Sequence, residues 1–486
     1  MDQKIEKDGG TFGSKENLLV IIVMIFGVFV AILNETLLNV ALPKIMADIG
    51  IEPSTAQWLS TGYLLVIGVL IPVTAFLIER FTTRGLFLSA MGLFTLGTLI
   101  AAISPNFAVL LLGRVLQAAG TGLMFPLLTN VVFAMVPLEK RGSAMGTIGI
   151  VITFAPAIGP TLSGIIVEHF SWRVLFYSVL PIALFVIVFA FIKLKNVTEV
   201  SRPSIDLVSL FLSTVGFGGI VFGFSSAGGE NVEWTSNEVW MPIVIGGVSL
   251  ALFTWRQLTM AHPMLDLRTF RYPIFRLSTV IMIIVMMAMF SAMMLLPIFL
   301  QNGLGYSPLK AGFVMLPGGI VMGIMSPVTG RLFDKFGAKW LAVIGLGLMA
   351  VTLWRFAFIT VTTPYLEIMV MNTLLMLGIS MLMMPVMTNA LNQLPVPLYP
   401  HGTAIISTLQ QVAGAVGTAL LVTVMSTSAE RFMEQAGSTA DPVLALTAGM
   451  KTAFLISFGL VVIAWIVAFK IKRAKAVMET REASGY

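Results

Sequence analysis

The sequence predicts an all-α, polytopic membrane protein with fourteen transmembrane helices and both termini cytoplasmic. Three observations predict it: the composition, fourteen apolar runs long enough to cross a bilayer, and the gathering of Lys and Arg on alternate loops. Of 486 residues, 57% are apolar and only 11% charged, and the mean hydropathy is +0.96. Soluble domains are roughly 45–50% apolar. A soluble globule, a disordered chain and a disulfide-stapled module are therefore excluded. A spanning helix takes about 20 residues, so fourteen take on the order of 280 and leave about 200 for loops and tails. Such segments average about 13 residues, too short for a second folded domain.

The expected spans follow in order, each bounded by charge, Pro or Gly. A polar tail (1–17) precedes the first span, 18–41, which is long and lacks a small-residue cleavage site, so it reads as retained. The second (57–78) stops at Glu79-Arg80, and the third (86–104) follows Arg84. The fourth (107–135) ends before Glu139-Lys140-Arg141, the fifth (143–166) before Glu168, and the sixth (173–192) lies between Arg173 and Lys193. The seventh (205–226) ends just before a Gly pair and the eighth (239–258) near Arg256. The ninth (274–300) follows Pro273, the tenth (311–330) runs from Lys310 to Arg331, and the eleventh (340–361) follows Lys339. The twelfth (365–389) follows Pro364, the thirteenth is 402–424, and the fourteenth (452–469) lies between Lys451 and Lys470.

Threading these spans with a cytoplasmic N-terminus puts 22 of the 29 Lys and Arg on inner segments, six on outer ones and Arg114 inside a span. This asymmetry is the positive-inside pattern, and it accounts for the net charge of +6 without nucleic acid. There are no cysteines, and the three histidines are scattered, which argues against disulfides, thiolate nucleophiles and a metal cluster. Gly345-Leu346-Gly347 lies inside an apolar span without a preceding strand, so it is no dinucleotide fingerprint. No phosphate-binding loop is present, so ATP-driven pumping would need a partner protein.

An internal repeat is visible. Pro72-Val73-Thr74, Leu77, Glu79-Arg80-Phe81 and Arg84 recur 255 residues later as Pro327-Val328-Thr329, Leu332, Asp334-Lys335-Phe336 and Lys339. The expected organisation is a six-helix bundle (18–193), a linker with two inserted helices (194–273), a second bundle (274–472) and a tail (473–486). Two membrane repeats suggest a transporter with its site near mid-bilayer at the repeat interface.

Charges inside hydrocarbon are costly, and each is a functional candidate. Glu35 and Arg114 lie at equal depth, roughly 10 Å inside the outer surface at 1.5 Å per residue. Dehydration favours a protonated carboxyl, and a nearby guanidinium favours the ionised one. A movable pair can therefore couple proton binding to conformation; a fixed pair merely sets helix packing. Arg355 lacks an acidic partner in its own span and is expected to snorkel outward. The fifth span carries small residues at Gly146, Gly149, Gly159 and Gly164, with Pro160 favouring a kink. Span 9 is rich in Met, including Met293 and Met294, either as adaptable cavity wall or as lipid-facing filler.

These motifs resemble the major facilitator superfamily, and more specifically its fourteen-span drug:proton antiporter family. Gly330-Arg331-Leu332-Phe333-Asp334-Lys335-Phe336-Gly337-Ala338-Lys339 is similar to the family's loop signature. Leu110 through Arg114 with Gln117, Gly120 and Gly122 resembles the fourth-helix motif. Gly159-Pro160 through Gly164 resembles the antiporter motif, and Ser171-Trp172-Arg173 with Phe176 and Pro181 the start of the sixth helix. Two departures stand out: the family's acidic position in the first helix falls on Asn34, with Glu35 beside it, and the first-half loop is degenerate. Asn34-Glu35 and Glu79 through Arg84 look most like the lincomycin-efflux branch.

The resemblance implies two six-helix bundles that rock about a central cavity. It implies a proton gradient in place of a cofactor, amphipathic small-molecule substrates, a bacterial cell-membrane location and no enzymatic activity; a monomer is expected. Proton coupling would fall to Glu35 and Arg114 with Asn34 adjacent. Asn34, Glu35, Gln117, Phe290, Met293 and Met294 would line the cavity. Glu79, Arg80 and Arg84, and in the second half Gly330, Arg331, Asp334, Lys335, Gly337 and Lys339, would hold the inner side closed. The same fold also suits export of an endogenous lipid, peptide or metabolite. A receptor or scaffold of this architecture would show no counterflow.

Overall fold

The computed structural model describes residues 15–51, 53–197, 200, 206–227, 235–261, 263–436 and 441–473. The tails expected at 1–17 and 473–486 lie almost wholly outside the described residues, as does the side chain of Pro160. Among the described residues the secondary structure is helical, with no strand.

The first bundle contains α1 (Lys15–Ile49), α2 (Pro53–Arg80), α3 (Thr83–Ala102), α4 (Phe107–Met135), α5 (Arg141–His169) and α6 (Arg173–Lys193). An inserted pair follows, α7 (Leu207–Ala227) and α8 (Asn237–Thr259). The second bundle contains α9 (Pro273–Ile298), α10 (Pro308–Phe336), α11 (Ala338–Phe356), α12 (Tyr365–Ser380), α13 (Met383–Asn392), α14 (Tyr399–Ala436) and α15 (Pro442–Ala468). Thirteen described segments are long and apolar enough to cross a membrane, and α12 with α13 forms one of them. The 29-residue α5, packed between α1 and α10, completes the expected fourteen.

Local chemistry sets the boundaries. Thr82, Asn106, Ser307 and Asp441 turn their side-chain oxygens onto backbone N–H groups of Gly85, Val109, Lys310 and Val443, capping α3, α4, α10 and α15. Gly337, at φ 80°, reverses the chain between α10 and α11, a conformation that side-chain-bearing residues resist.

The 255-residue repeat holds in three dimensions. Added to the starts of α2 and α3, it gives Pro308 and Ala338, the starts of α10 and α11. It weakens later: α14 begins three residues past the equivalent of Arg141, and the equivalent of the continuous α4 is broken between Ser380 and Met383.

The bundles meet along α5 with α10 and along α2 with α14. The α5–α10 seam is very close. A Cβ on Gly330 would stand 2.3 Å from the Gly142 carbonyl oxygen, and one on Gly146 2.6 Å from that of Ser326. Gly149 likewise lies against Ser326. Only glycine permits this backbone approach. Gly159 instead receives Thr36 of α1, and Gly164 faces open space.

The inserted pair is held by charge at the end of the bundle that carries most Lys and Arg, hereafter the basic end. Arg256 Nε and Nη2 donate to the Asp206 carboxylate at 2.8 and 3.0 Å. Those bonds, with one from Ser209, hold the Asp206 pKa down at about 2, so the pair stays ionised across physiological pH. The Ser209 hydroxyl accepts from Gln257 Nε2 at 2.6 Å, and Gln257 Oε1 accepts the Leu265 N–H at 3.1 Å. This chain ties the hairpin to the segment leading into α9.

The seam supplies a substitution test. Gly330→Ala should lower stability by roughly 1–3 kcal/mol through overpacking, read as a lower thermal midpoint in detergent. Gly164→Ala should leave the midpoint unchanged or raise it. Equal behaviour of the two variants would contradict the packing described.

Candidate functional site

The basic end is closed by carboxylates at helix starts. Asp334, near the end of α10, accepts the Gly142 and Ser143 backbone N–H groups, each at 2.8 Å, and also the Ser143 hydroxyl. A carboxylate there meets unpaired N–H groups and the positive end of the helix dipole. One bundle thus caps a helix of the other. Arg473 Nη2 donates to the Asp334 carbonyl at 2.8 Å and adds a strap from the chain's far end.

The repeat partner of Asp334 is Glu79, which meets His401 near the start of α14 instead of a backbone N-terminus (Oε1 to Nε2, 2.9 Å). His401 Nδ1 accepts the Asp266 N–H at 3.2 Å, which places the ring proton on Nε2. The two latches are therefore equivalent in position but different in chemistry.

Arg141 lies between them, at the first position of α5, and is 8% exposed. It donates to the carbonyls of Phe133 (2.7 Å) and Val136 (3.0 Å), to Asn392 Oδ1 (3.1 Å) and to the Tyr399 hydroxyl (2.9 Å). Tyr399 opens α14 as Arg141 opens α5, so the two helix starts clasp each other across the bundle interface. By sequence, Arg141 is an ordinary loop cation. Its position immediately before a spanning helix gave no sign of a partner 258 residues away.

The other loop-signature residues fill separate places. Arg84 Nη2 donates to the Phe191 carbonyl at 2.6 Å and binds α3 to the end of α6. Arg80 lies over Phe76, Lys335 over Phe336 and Lys339 over Trp340. Arg331 is exposed.

Away from the basic end, α4 buries Arg114 to 1% exposure. Its Nη1 donates to Gln117 Oε1 at 3.0 Å and its Nε to the Leu59 carbonyl at 3.3 Å. The guanidinium carbon stands 4.0 Å from the centre of the Tyr63 ring. Gln117 Nε2 donates to Thr98, and the Tyr63 hydroxyl donates to Thr121, at 2.9 and 2.8 Å. Thr98 and Thr121 pass their own protons to the carbonyls of Phe94 and Gln117. The buried charge is thus compensated by a carbonyl, an amide and an aromatic face from α2 and α4.

Glu35 on α1 is half-buried and makes no direct ion pair with Arg114 among the described residues. The helices that carry the two charges, α1 and α4, pack against each other. Asn34 points elsewhere: it is 2% exposed, and its Nδ2 has no hydrogen-bond partner among the described residues. Adjacent helix positions diverge by about 100°, which separates the two roles.

A cavity of about 230 Å³ lies between the bundles on the α2–α14 side. It is lined by Ser60, Thr61 and Leu64 of α2, Val221, Phe224 and Ser225 of α7, Phe290 and Met294 of α9, and α14 from Gln411 to Ala419. Phe290 and Met294, both cavity candidates from the sequence, are among its lining residues. Gln117, Asn34 and Glu35 do not line this cavity. Gln117 is turned inward because Arg114 and Thr98 take its amide. Met293, 40% exposed, projects from a different side of α9, one residue away from Met294. Arg114 still touches the cavity indirectly. Leu59 and Tyr63, which it grips, flank the α2 turn whose other face carries Ser60 and Thr61.

Arg355 does find an acid, Glu367 of α12, across the turn between helices. Trp172 and Arg173 both donate to Asp48 (2.9 and 2.6 Å), joining the end of α1 to the start of α6 and holding the Asp48 carboxyl below its ordinary pKa.

Residues 24–418 match the family model of the Major Facilitator Superfamily. The chain is 48% identical over 459 residues to the lincomycin resistance protein LmrB of Bacillus subtilis (strain 168), covering 94% of this chain and 96% of that protein. It is 30% identical over 393 residues to the multidrug resistance protein B homolog of Mycobacterium tuberculosis (strain ATCC 25618 / H37Rv), covering 80% and 72%. Among solved structures, the human organic anion transporter MFSD10 superposes with a TM-score of 0.67 at 13% identity, covering 94% of this chain and 100% of that one. The proton:xylose symporter XylE gives 0.65 at 13% identity, covering 95% and 97%. At such identities these two structures bear on the fold alone. The chain belongs to the Major Facilitator Superfamily, a family of membrane transporters rather than enzymes.

Proposed function

We propose that the chain exports amphipathic drugs from the bacterial cytoplasm in exchange for protons. The printed names of its relatives, lincomycin resistance and multidrug resistance proteins, support drugs as cargo. The charge distribution supports a cytoplasmic basic end. With that orientation the structure is closed toward the cytoplasm, and the cavity lies toward the outer side.

The observation that carries the coupling is the buried Arg114 with half-buried Glu35 as its neighbouring carboxyl. Glu35 alternates between a protonated and an ionised form. Arg114 favours the ionised form, so a rearrangement of α1 against α4 changes how tightly the proton is held. Drug in the cavity presses on the α2 turn that Arg114 grips, which gives the two ligands a shared mechanical element. Met294 and Phe290 offer an adaptable, apolar wall suited to varied drugs. Asp334 releases the start of α5, and Glu79 releases His401, when the cytoplasmic side opens.

Glu35→Gln should abolish drug-stimulated proton movement in proteoliposomes while drug binding persists. Unchanged coupling would remove Glu35 from the mechanism. The gate has its own test, eased by a chain without cysteine. A single Thr153→Cys, buried in the α5–α10 seam, should react slowly with a water-soluble maleimide. Adding Asp334→Asn should speed labelling several-fold by releasing the start of α5. An unaltered rate would show that Asp334 does not latch the seam.

A further inference from the structure

At the basic end, on the flank of the second bundle, α9 and α15 diverge and leave a groove of about 510 Å³. Its floor is apolar, formed by Ile274, Leu277, Val280 and Val467. Its rim carries Arg276, Lys470 and Lys472. All three cations are exposed, and none enters an ion pair among the described residues. No Asp or Glu lines the groove. Several other cations at this end are engaged: Arg141 donates to four oxygens, Arg256 holds Asp206, Arg268 meets Asp266, and Arg473 bonds the Asp334 carbonyl.

We propose that this groove binds one anionic phospholipid, its phosphate among Arg276, Lys470 and Lys472 and the first part of its acyl chains along Leu277, Val280 and Val467. Two features select this occupant. Three converging unpaired cations at the level of the bilayer surface match a phosphate-bearing headgroup. The apolar floor continues from that rim toward the hydrocarbon along Leu277 and Val280 of α9, which suits a chain-bearing ligand and offers nothing to a small soluble anion. A zwitterionic lipid would bring its own ammonium against the same three cations. The site also lies at the root of the 470–473 segment, where the Lys472 carbonyl accepts from Asn389 Nδ2 at 3.1 Å and Arg473 reaches the Asp334 loop. The inference is independent of the cargo and of proton coupling.

Native mass spectrometry of the detergent-purified full chain, titrated with phosphatidylglycerol or phosphatidylcholine, tests it. One tightly retained phosphatidylglycerol is expected, with phosphatidylcholine retained weakly. Each cation should contribute about five-fold, so Arg276→Gln, Lys470→Gln and Lys472→Gln together should weaken that binding on the order of 100-fold. Single variants should each lose about five-fold, which keeps the test available if the triple variant folds poorly. Lys193→Gln, at the same end but outside the groove, should change nothing. Equal retention of both lipids, full retention by the single and triple variants, or equally tight binding of soluble glycerol phosphate would each overturn the proposal.

Discussion

A guanidinium in hydrocarbon must find partners for its charge, and Arg114 makes that constraint visible throughout the first bundle. The effective cost of burying an unpaired ion is several kcal/mol. The fold meets it with the Leu59 carbonyl, the Gln117 amide and the Tyr63 ring, and each of these fixes something further. Gln117 is thereby turned toward Thr98 of α3, and Tyr63 toward Thr121 of α4. Three helices are pinned at one depth by one charge. Glu35 is the group left with latitude: it stands in the field of Arg114 without being locked to it.

The same physics acts differently at the basic end, where water is near and helix starts are exposed. There the bundles are joined by a carboxylate on backbone N–H groups, by a carboxylate on a histidine, and by Arg141 clasping Tyr399. These bonds hold the glycine seam of α5 and α10 at a separation no larger residue allows. A close seam held by polar latches suits packing that is either closed or released, which the proposed rocking of the bundles needs.

Much of this is legible in the sequence. Apolar length and flanking charge locate the spans, because both are local properties. The repeat that aligns Glu79 with Asp334 survives in the matched starts of α2 with α10 and α3 with α11. What the sequence hides depends on contacts between distant segments. Tyr63 reads as an ordinary apolar-span aromatic until α2 packs on α4. His401 reads as a loop histidine until α14 meets α2. Gln117 looks like a cavity residue because it lies one helical turn from Arg114, yet the same Arg draws its amide inward. The fate of Asn34 and Glu35 turns on a single helical step, which a motif written in one dimension does not resolve.

The central claim is that Glu35 changes protonation as drug binds. Infrared difference spectroscopy of the purified protein, with and without drug, reads that event at the group itself. The account predicts that drug binding removes a protonated-carboxyl band and that Glu35→Gln eliminates the change. A difference spectrum that keeps the same carboxyl signal in the Glu35→Gln variant would contradict it.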